Sequence, residues 1–246
     1  MTPKKRLDIA LVERGLESTR SRAQARILAG DVVVGDHRVD KAGHLVSETD
    51  AIRLKDNSLP YVSRGGLKLE GALKSWPTDV EGTICIDIGS STGGFTDVLL
   101  KNGAALVYAV DVGTNQLAYE LRINPKVKVF EKTHILKTPA GTFTPAPTIA
   151  VIDVSFISLK KVLPAALIHL TRPGTIYALI KPQFEVGPDK IEKGGIVKDI
   201  AAREQSRDEI LALAANLGLK IIGHAESPIQ GTDGNVEYLA CLKFIV

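Results

Sequence analysis

Cys85-Ile86-Asp87-Ile88-Gly89-Ser90-Ser91-Thr92-Gly93-Gly94-Phe95 decides how the rest of this chain is read. An apolar run of strand type enters a glycine-rich turn, and a helix pattern follows from Phe95. Glycines in such a turn let the backbone take positive φ and come close to a ligand. The helix start behind them adds oriented N–H donors.

Working outward, strand-like and helical runs alternate from about residue 62. The strand-like runs are Ile84–Ile88, Leu106–Asp111, Val127–Phe130, Ile149–Asp153, Gly174–Lys181, Leu219–His224 and Val236–Phe244. The helical runs are Phe95–Lys101, Ser158–Leu170 and Ala201–Asn216. Alternation of this kind implies an α/β domain, a mostly parallel sheet with helices on both faces. In front of it, residues 6–15 read as a short helix that Gly15 stops. Ser18 or Thr19 caps a second helix with Ala23, Ile27 and Leu28 as its apolar stripe, and Gly30 ends it. Val32–Val34, turns at Gly35-Asp36 and Lys41-Ala42-Gly43, and a strand near Asp50–Leu54 complete a small α+β unit. Lys55–Pro60 is polar and proline-containing, as a linker would be. The expected organisation is a front domain over 1–58, a linker over 59–64 and the α/β domain over 65–246.

The turn limits the ligand. A dinucleotide site wants Gly-x-Gly-x-x-Gly; here the spacing is Gly89-x-x-x-Gly93-Gly94, without the middle glycine that admits a pyrophosphate. Asp87, two residues before the first glycine, would repel a pyrophosphate and suits a sulfonium or ammonium group. Asp111 at the end of the second strand can accept from both ribose hydroxyls of a nucleoside cofactor. The pattern favours S-adenosylmethionine over a dinucleotide; a merely structural glycine turn is the bland alternative.

The chain has 246 residues, 44% of them hydrophobic, 24% charged, and a net charge of +3, ordinary values for a globular protein with a buried core. Two cysteines, Cys85 and Cys241, both in apolar runs, read as buried thiols; they offer neither a disulfide framework nor a metal cluster. The five histidines (His37, His44, His134, His169, His224) show no ligand spacing, so no metal is expected. No apolar run approaches the ~20 residues of a membrane helix. Met1–Arg6 has no apolar h-region behind it, so a cytoplasmic location is expected. Charge is uneven: residues 1–30 hold seven Lys/Arg against three acids. That excess suggests a polyanion contact at the front of the chain. Arg22 and Arg26, four apart, share a helix face. A solvated face and a phosphate contact both fit them.

The later strands end in charged residues. Asp153 follows Ile149–Ile152, Lys181 follows Ile176–Ile180, Glu237 follows the turn Gly231–Gly234, and Lys68 lies in Ser63-Arg64-Gly65-Gly66-Leu67-Lys68. Ligands of open α/β sheets lie beyond the carboxyl ends of the strands, so Asp153 and Lys181 should meet beside a cofactor. A structural ion pair is the plain alternative.

With these residues in place, Lys68, Asp153, Lys181 and Glu237 resemble the Lys-Asp-Lys-Glu tetrad of FtsJ/RrmJ-type ribose 2′-O-methyltransferases. Ser63–Leu69, Asp153-Val154-Ser155-Phe156-Ile157-Ser158-Leu159 and Lys181-Pro182-Gln183-Phe184-Glu185 are more similar still to the TlyA family, often named hemolysin A. Arg6-Leu7-Asp8 and Ser21-Arg22-x-x-Ala25-Arg26 resemble the RNA-binding domain of ribosomal protein S4. The resemblance spans nearly the whole chain. It implies a Rossmann-like class I methyltransferase with a seven-stranded, mostly parallel sheet behind an S4-like domain. It also implies S-adenosylmethionine as donor and 2′-O-methylation of a ribosomal RNA cytidine. The chain opens directly on its first helix and stops at the last strand, so 23S rRNA is the expected target.

The implied donor pocket is Asp87, Gly89, Ser90, Ser91, Gly93, Gly94, Phe95, Asp111, Val112, Thr133 and Asp153. The implied RNA contacts are Arg6, Arg20, Arg22, Arg26 and Arg64, with the ribosomal RNA or subunit as partner. Where relatives commonly show Thr-Asn after the third strand, this chain has Thr133-His134, which loosens the assignment of the adenine contact. Lys181 is the candidate for activating the hydroxyl, as hydrogen-bond partner or as base. Asp153 would orient it, and Lys68 and Glu237 would complete the network. The segment Gln183–Lys198 reads as a lid or as an ordinary surface loop. The rivals are a membrane-damaging haemolysin, for which the sequence shows no amphipathic or spanning segment, and a non-enzymatic ribosome-assembly factor. A pseudouridine synthase, which also carries such a front domain, is excluded by the donor loop.

Overall fold

The computed structural model describes residues 4–54, 59–231 and 234–245, which fall into two compact units, 1–59 and 60–246. The front unit carries β1 (Lys5–Arg6), α1 (Leu7–Glu13), α2 (Arg20–Ala29), β2 (Val32–Val34), β3 (His37–Val39), β4 (Leu45–Val46) and β5 (Ile52–Leu54). Gly15 (φ 70°) and Gly30 (φ 74°) take the left-handed conformation that ends their helices, and the Thr19 hydroxyl accepts from the Arg22 amide. Strands order as β3-β2-β5, with β1 paired to β4, around a core of Leu7, Leu11, Ala23, Ile27 and Val32. Leu28 is a correction: it is 79% exposed and belongs to the solvent face of α2, not to its apolar stripe.

Asp8 holds the two helices together. Its carboxylate is fully buried and accepts from the Arg6 guanidinium (3.0 and 3.1 Å), from Arg20 Nε (2.9 Å) and from Gln24 Nε2 (2.7 Å). Those partners, Arg6 foremost, hold its carboxyl far below the usual carboxylate range.

The second unit begins with α3 (Gly65–Ser75). It continues through β6 (Ile84–Ile88), α4 (Gly94–Lys101), β7 (Leu106–Val110), α5 (Tyr119–Arg122) and β8 (Val127–Phe130). It ends with β9 (Ile149–Ile152), α6 (Leu159–Leu167), β10 (Gly174–Ile180), α7 (Ile200–Asn216), β11 (Leu219–Glu226) and β12 (Tyr238–Phe244). The seven strands lie in the order β11-β12-β10-β9-β6-β7-β8. β8, β7, β6, β9 and β10 are mutually parallel, and β12 runs antiparallel to both β10 and β11.

Because side chains alternate along a strand, the sheet has two apolar faces. Ile86, Ile88, Ala150, Ile152 and Ile176 face Leu159, Leu163 and Ile210 of α6 and α7. Cys85, Ile149, Val151, Tyr177 and Leu179 face Leu69, Phe95, Val98 and Leu99 of α3 and α4. Truncating a fully buried leucine such as Leu163 or Leu99 should cost about 2–5 kcal/mol.

Two sequence expectations are revised here. Gly65–Ser75 is a helix the sequence reading did not assign. Residues 61–64, expected within the linker, pack on the second unit: the Val62 amide donates to Asp97 Oδ2 (2.9 Å). Residues 55–58 of the polar stretch lie outside the described residues.

Candidate active site

The carboxyl ends of β6, β9 and β10 and the start of β12 open on one cleft of about 700 Å³ in the second unit. The antiparallel β12 explains the fourth contributor: its beginning, not its end, lies at the edge where the parallel strands finish. Close backbone approach at this edge depends on Gly89 (φ 87°). A Cβ there would stand 2.3 Å from the Asp153 carbonyl oxygen. Gly94 plays the same part between helices, where a Cβ would lie 2.4 Å from Ser63 Oγ and 2.8 Å from the Gly66 nitrogen.

Lys68, Asp153, Lys181 and Glu237 all line the cleft. They form two lysine–carboxylate pairs. Lys68 Nζ donates to Glu237 Oε2 at 2.6 Å, both residues buried. Gly231 makes room for that carboxylate, because a Cβ there would meet Glu237 Oε1 at 2.6 Å. Lys181 Nζ lies 2.6 Å from Asp153 Oδ1 and donates to Ser155 Oγ at 3.0 Å. The 2.6 Å contact with the ammonium meets the buried Asp153 Oδ1 as an ion pair.

Asp87 differs, because among the described residues one of its oxygens has no cation beside it. It is fully buried; its Oδ2 accepts from Thr96 Oγ1 at 2.7 Å, while Oδ1 has no partner among the described residues. Burial pushes its carboxyl up to about 7, against the lowering effect of Thr96. A buried carboxylate with a free oxygen at the wall of a cleft fits a cationic ligand and disfavours a phosphate. Asp111 Oδ2 accepts from the Ser91 amide (2.8 Å) and Oδ1 from the Gly113 amide (2.7 Å), which fixes the carboxylate at the end of β7.

Of the other expected donor residues, Gly89, Ser90, Ser91, Gly94 and Phe95 line the cleft with Asp87. Gly93, Asp111, Val112 and Thr133 are not among its lining residues, and Val112 is 67% exposed. Gly93 (φ 96°) serves packing instead, since a Cβ there would stand 2.3 Å from Leu121 Cδ1. The Thr133 amide donates to the Asp111 carbonyl and its hydroxyl to the Glu131 carbonyl.

Residues without an assigned role in the sequence reading also line the cleft, among them Ser63, Ser155, Phe156, Phe184 and Gln230. Phe156 is 93% exposed and has φ 64°, a conformation that bulky side chains rarely adopt. Its ring centroid lies 5.2 Å from that of Phe184. The signal for Ser63, Phe156 and Phe184 was present in the motifs that hold Lys68, Asp153 and Lys181; for Gln230 the sequence carries none.

Among the expected RNA contacts, Arg64 lines the cleft and donates weakly to the Gln230 carbonyl at 3.4 Å. The other four lie in the front unit, and each faces an acid. Arg6 and Arg20 share Asp8, while Arg22 (3.5 Å) and Arg26 (2.9 Å) share Glu17. The excess positive charge counted in the sequence is therefore partly met within the unit, although the Arg22 side chain remains 71% exposed.

Residues 61–244 match the family described as FtsJ-like methyltransferase, and residues 5–52 match the S4 domain. The chain belongs to the FtsJ-like methyltransferase family. FtsJ-like relatives match it over nearly its full length. The Bacillus subtilis (strain 168) protein YqxC is 48% identical over 246 residues, 99% of this chain and 88% of the relative. The protein named 16S/23S rRNA (cytidine-2'-O)-methyltransferase TlyA of Mycobacterium tuberculosis (strain H37Rv) is 41% identical over 244 residues, 99% of this chain and 91% of the relative. A solved structure from Streptococcus thermophilus that carries the hemolysin label is 45% identical and superposes with a TM-score of 0.76, covering 100% of this chain and 90% of its own. Among the described residues no helix is long and apolar enough to cross a membrane, and no group of His, Cys, Asp and Glu could hold a metal.

Proposed function

We propose that this chain transfers a methyl group from S-adenosylmethionine to the ribose 2′-hydroxyl of a cytidine in ribosomal RNA, with the 23S molecule as the expected substrate. One observation carries the reading: both lysine–carboxylate pairs and the unpartnered Asp87 oxygen line a single cleft. The name of the tuberculosis relative supports the substrate class.

Asp87, Gly89–Ser91, Gly94 and Phe95 would hold the donor, with Asp87 opposite its cationic end and Asp111 at its ribose. When bound, S-adenosylmethionine supplies an electrophilic methyl group on a sulfonium. The residues of this chain supply position. Lys181 Nζ, braced by Asp153 and Ser155, would hydrogen-bond the 2′-oxygen and orient it toward the donor. The hydroxyl proton would be taken up by the Lys181–Asp153 pair. Lys68 and Glu237, in the same cleft, would hold the ribose. Alignment of this kind is worth up to ~7–11 kcal/mol of barrier. Phe156 and Phe184 offer a surface for a base drawn out of its stack, a contact worth about 1–3 kcal/mol. Arg6, Arg20, Arg22 and Arg26 in the front unit, with Arg64 at the cleft, would meet phosphates.

Lys181→Ala should lower methylation of ribosomal RNA by at least about a hundredfold while the dissociation constant for S-adenosylmethionine stays within a few-fold. Near-normal turnover in that variant defeats the assignment. Mapping 2′-O-methyl groups on 16S and 23S RNA from cells with and without the gene identifies the nucleotide.

A further inference from the structure

The segment from Gln183 to Val197 contributes Gln183, Phe184, Ile191 and Gly195 to the lining of the cleft that holds both lysine–carboxylate pairs. Both of its ends are tied to other elements by side-chain hydrogen bonds. At the first end, the Glu185 carboxylate accepts from Ser158 Oγ (2.5 Å) and from the Leu159 amide (2.7 Å), capping α6 behind the Asp153 motif. At the far end stands Asn235, which is 2% exposed. Its Nδ2 donates to the Gly195 carbonyl (2.9 Å) and its Oδ1 accepts from the Val197 amide (3.0 Å). One side-chain amide thus pairs with the backbone as a neighbouring strand would.

Between the ties the segment closes on itself. The Glu192 amide donates to the Ile196 carbonyl, and Gly194 and Gly195 both take positive φ in the turn. Val197 is 1% exposed. Asn235 lies two residues before Glu237, and its own carbonyl accepts from the Gly231 amide, whose residue gives the Glu237 carboxylate its space.

We propose that Asn235 is a positioning residue: it locks residues 195–197 to the approach of β12, so that this segment is a fixed wall that sets Glu237 relative to Lys181, not a lid that closes over the substrate. Among the described residues Asn235 hydrogen-bonds to Gly195, Val197 and Gly231 and not to the glycine turn that would hold the donor, so the lock acts on the acceptor side of the cleft. The kinetic half of this inference rests on the methyl-transfer reading; the structural half does not.

Asn235→Asp provides the test, because it keeps the shape and the acceptor but places a carboxylate oxygen against the Gly195 carbonyl. In this variant hydrogen exchange at the 192–198 amides should speed up by about tenfold or more. Turnover at saturating donor should fall by about tenfold or more, with the donor dissociation constant within about threefold. Unchanged exchange in the variant overturns the lock. Faster exchange with full turnover overturns the positioning role. Should the variant not fold, the wild-type protein decides alone: the Val197 amide must be protected as strongly as those of β10, and exchange at the rate of an open loop overturns the proposal. Absence of any methylation by the wild type would defeat the function proposed above and leave the exchange result standing.

Discussion

At Asp87 a single carboxylate oxygen without a donor links stability, ligand and pH. Its carboxyl, pushed up to about 7 by burial, holds its proton in the folded chain at pH values where the unfolded chain has lost it. The folded state is then the better proton binder, so the ligand-free protein loses stability as pH rises from the ordinary carboxyl range to about 7. A cationic ligand reverses this by favouring the ionised form. Donor affinity should therefore rise by up to ~10-fold per pH unit on approach to 7 and then level off. Asp87→Asn should bind more weakly and with a flat profile, as calorimetry across pH would show; a variant with the wild-type slope sinks the argument. Asp87 was legible in the sequence because it sits at a fixed distance from the glycine turn. Asn235 and Thr96 were not, since each is an ordinary polar residue outside the recognised motifs; Ser155 stood inside the Asp153 motif without a role of its own.

Among the elements, α3 was the hardest to read. It opens with Gly65 and Gly66, and each glycine costs a helix about 1 kcal/mol, so local propensity argues against it. The structure gives the reason for Gly66: a Cβ there would stand 2.5 Å from the Tyr61 ring. The tight start delivers Lys68 to Glu237. By contrast β6, β7, β8 and β9 were plain from their apolar runs, and α2 from Thr19 and Gly30. Position on α2 was read less well: Leu28 was placed in the apolar stripe and is solvent-facing, while Arg22 and Arg26, placed together on one face, share Glu17. If those arginines reach phosphates, Arg22→Ala with Arg26→Ala should reduce the slope of log affinity for ribosomal RNA against log salt by about one to two. An unchanged slope assigns the RNA contact to the second unit.

Taken whole, the chain divides its work between a small unit with its own modest core and a larger one whose sheet is buried on both faces. A chain starting at Pro60 should keep donor affinity within a few-fold and lose about a hundredfold or more in RNA affinity, roughly the worth of several phosphate contacts; filter binding and calorimetry separate the two. Such a division was readable from the change of hydrophobic period near residue 62, whereas the crossing of β12 between β10 and β11 was not, because strand order leaves no local trace. That crossing has a consequence for biosynthesis. Lys68 waits 169 residues for Glu237, and β11 has no neighbour until β12 is inserted beside it. While residues 237–244 are still inside the exit tunnel, the nascent chain cannot assemble its second pair. The cleft is thus completed only once β12 has left the ribosome, so its Lys68–Glu237 pair forms after the other six strands of the sheet have been made.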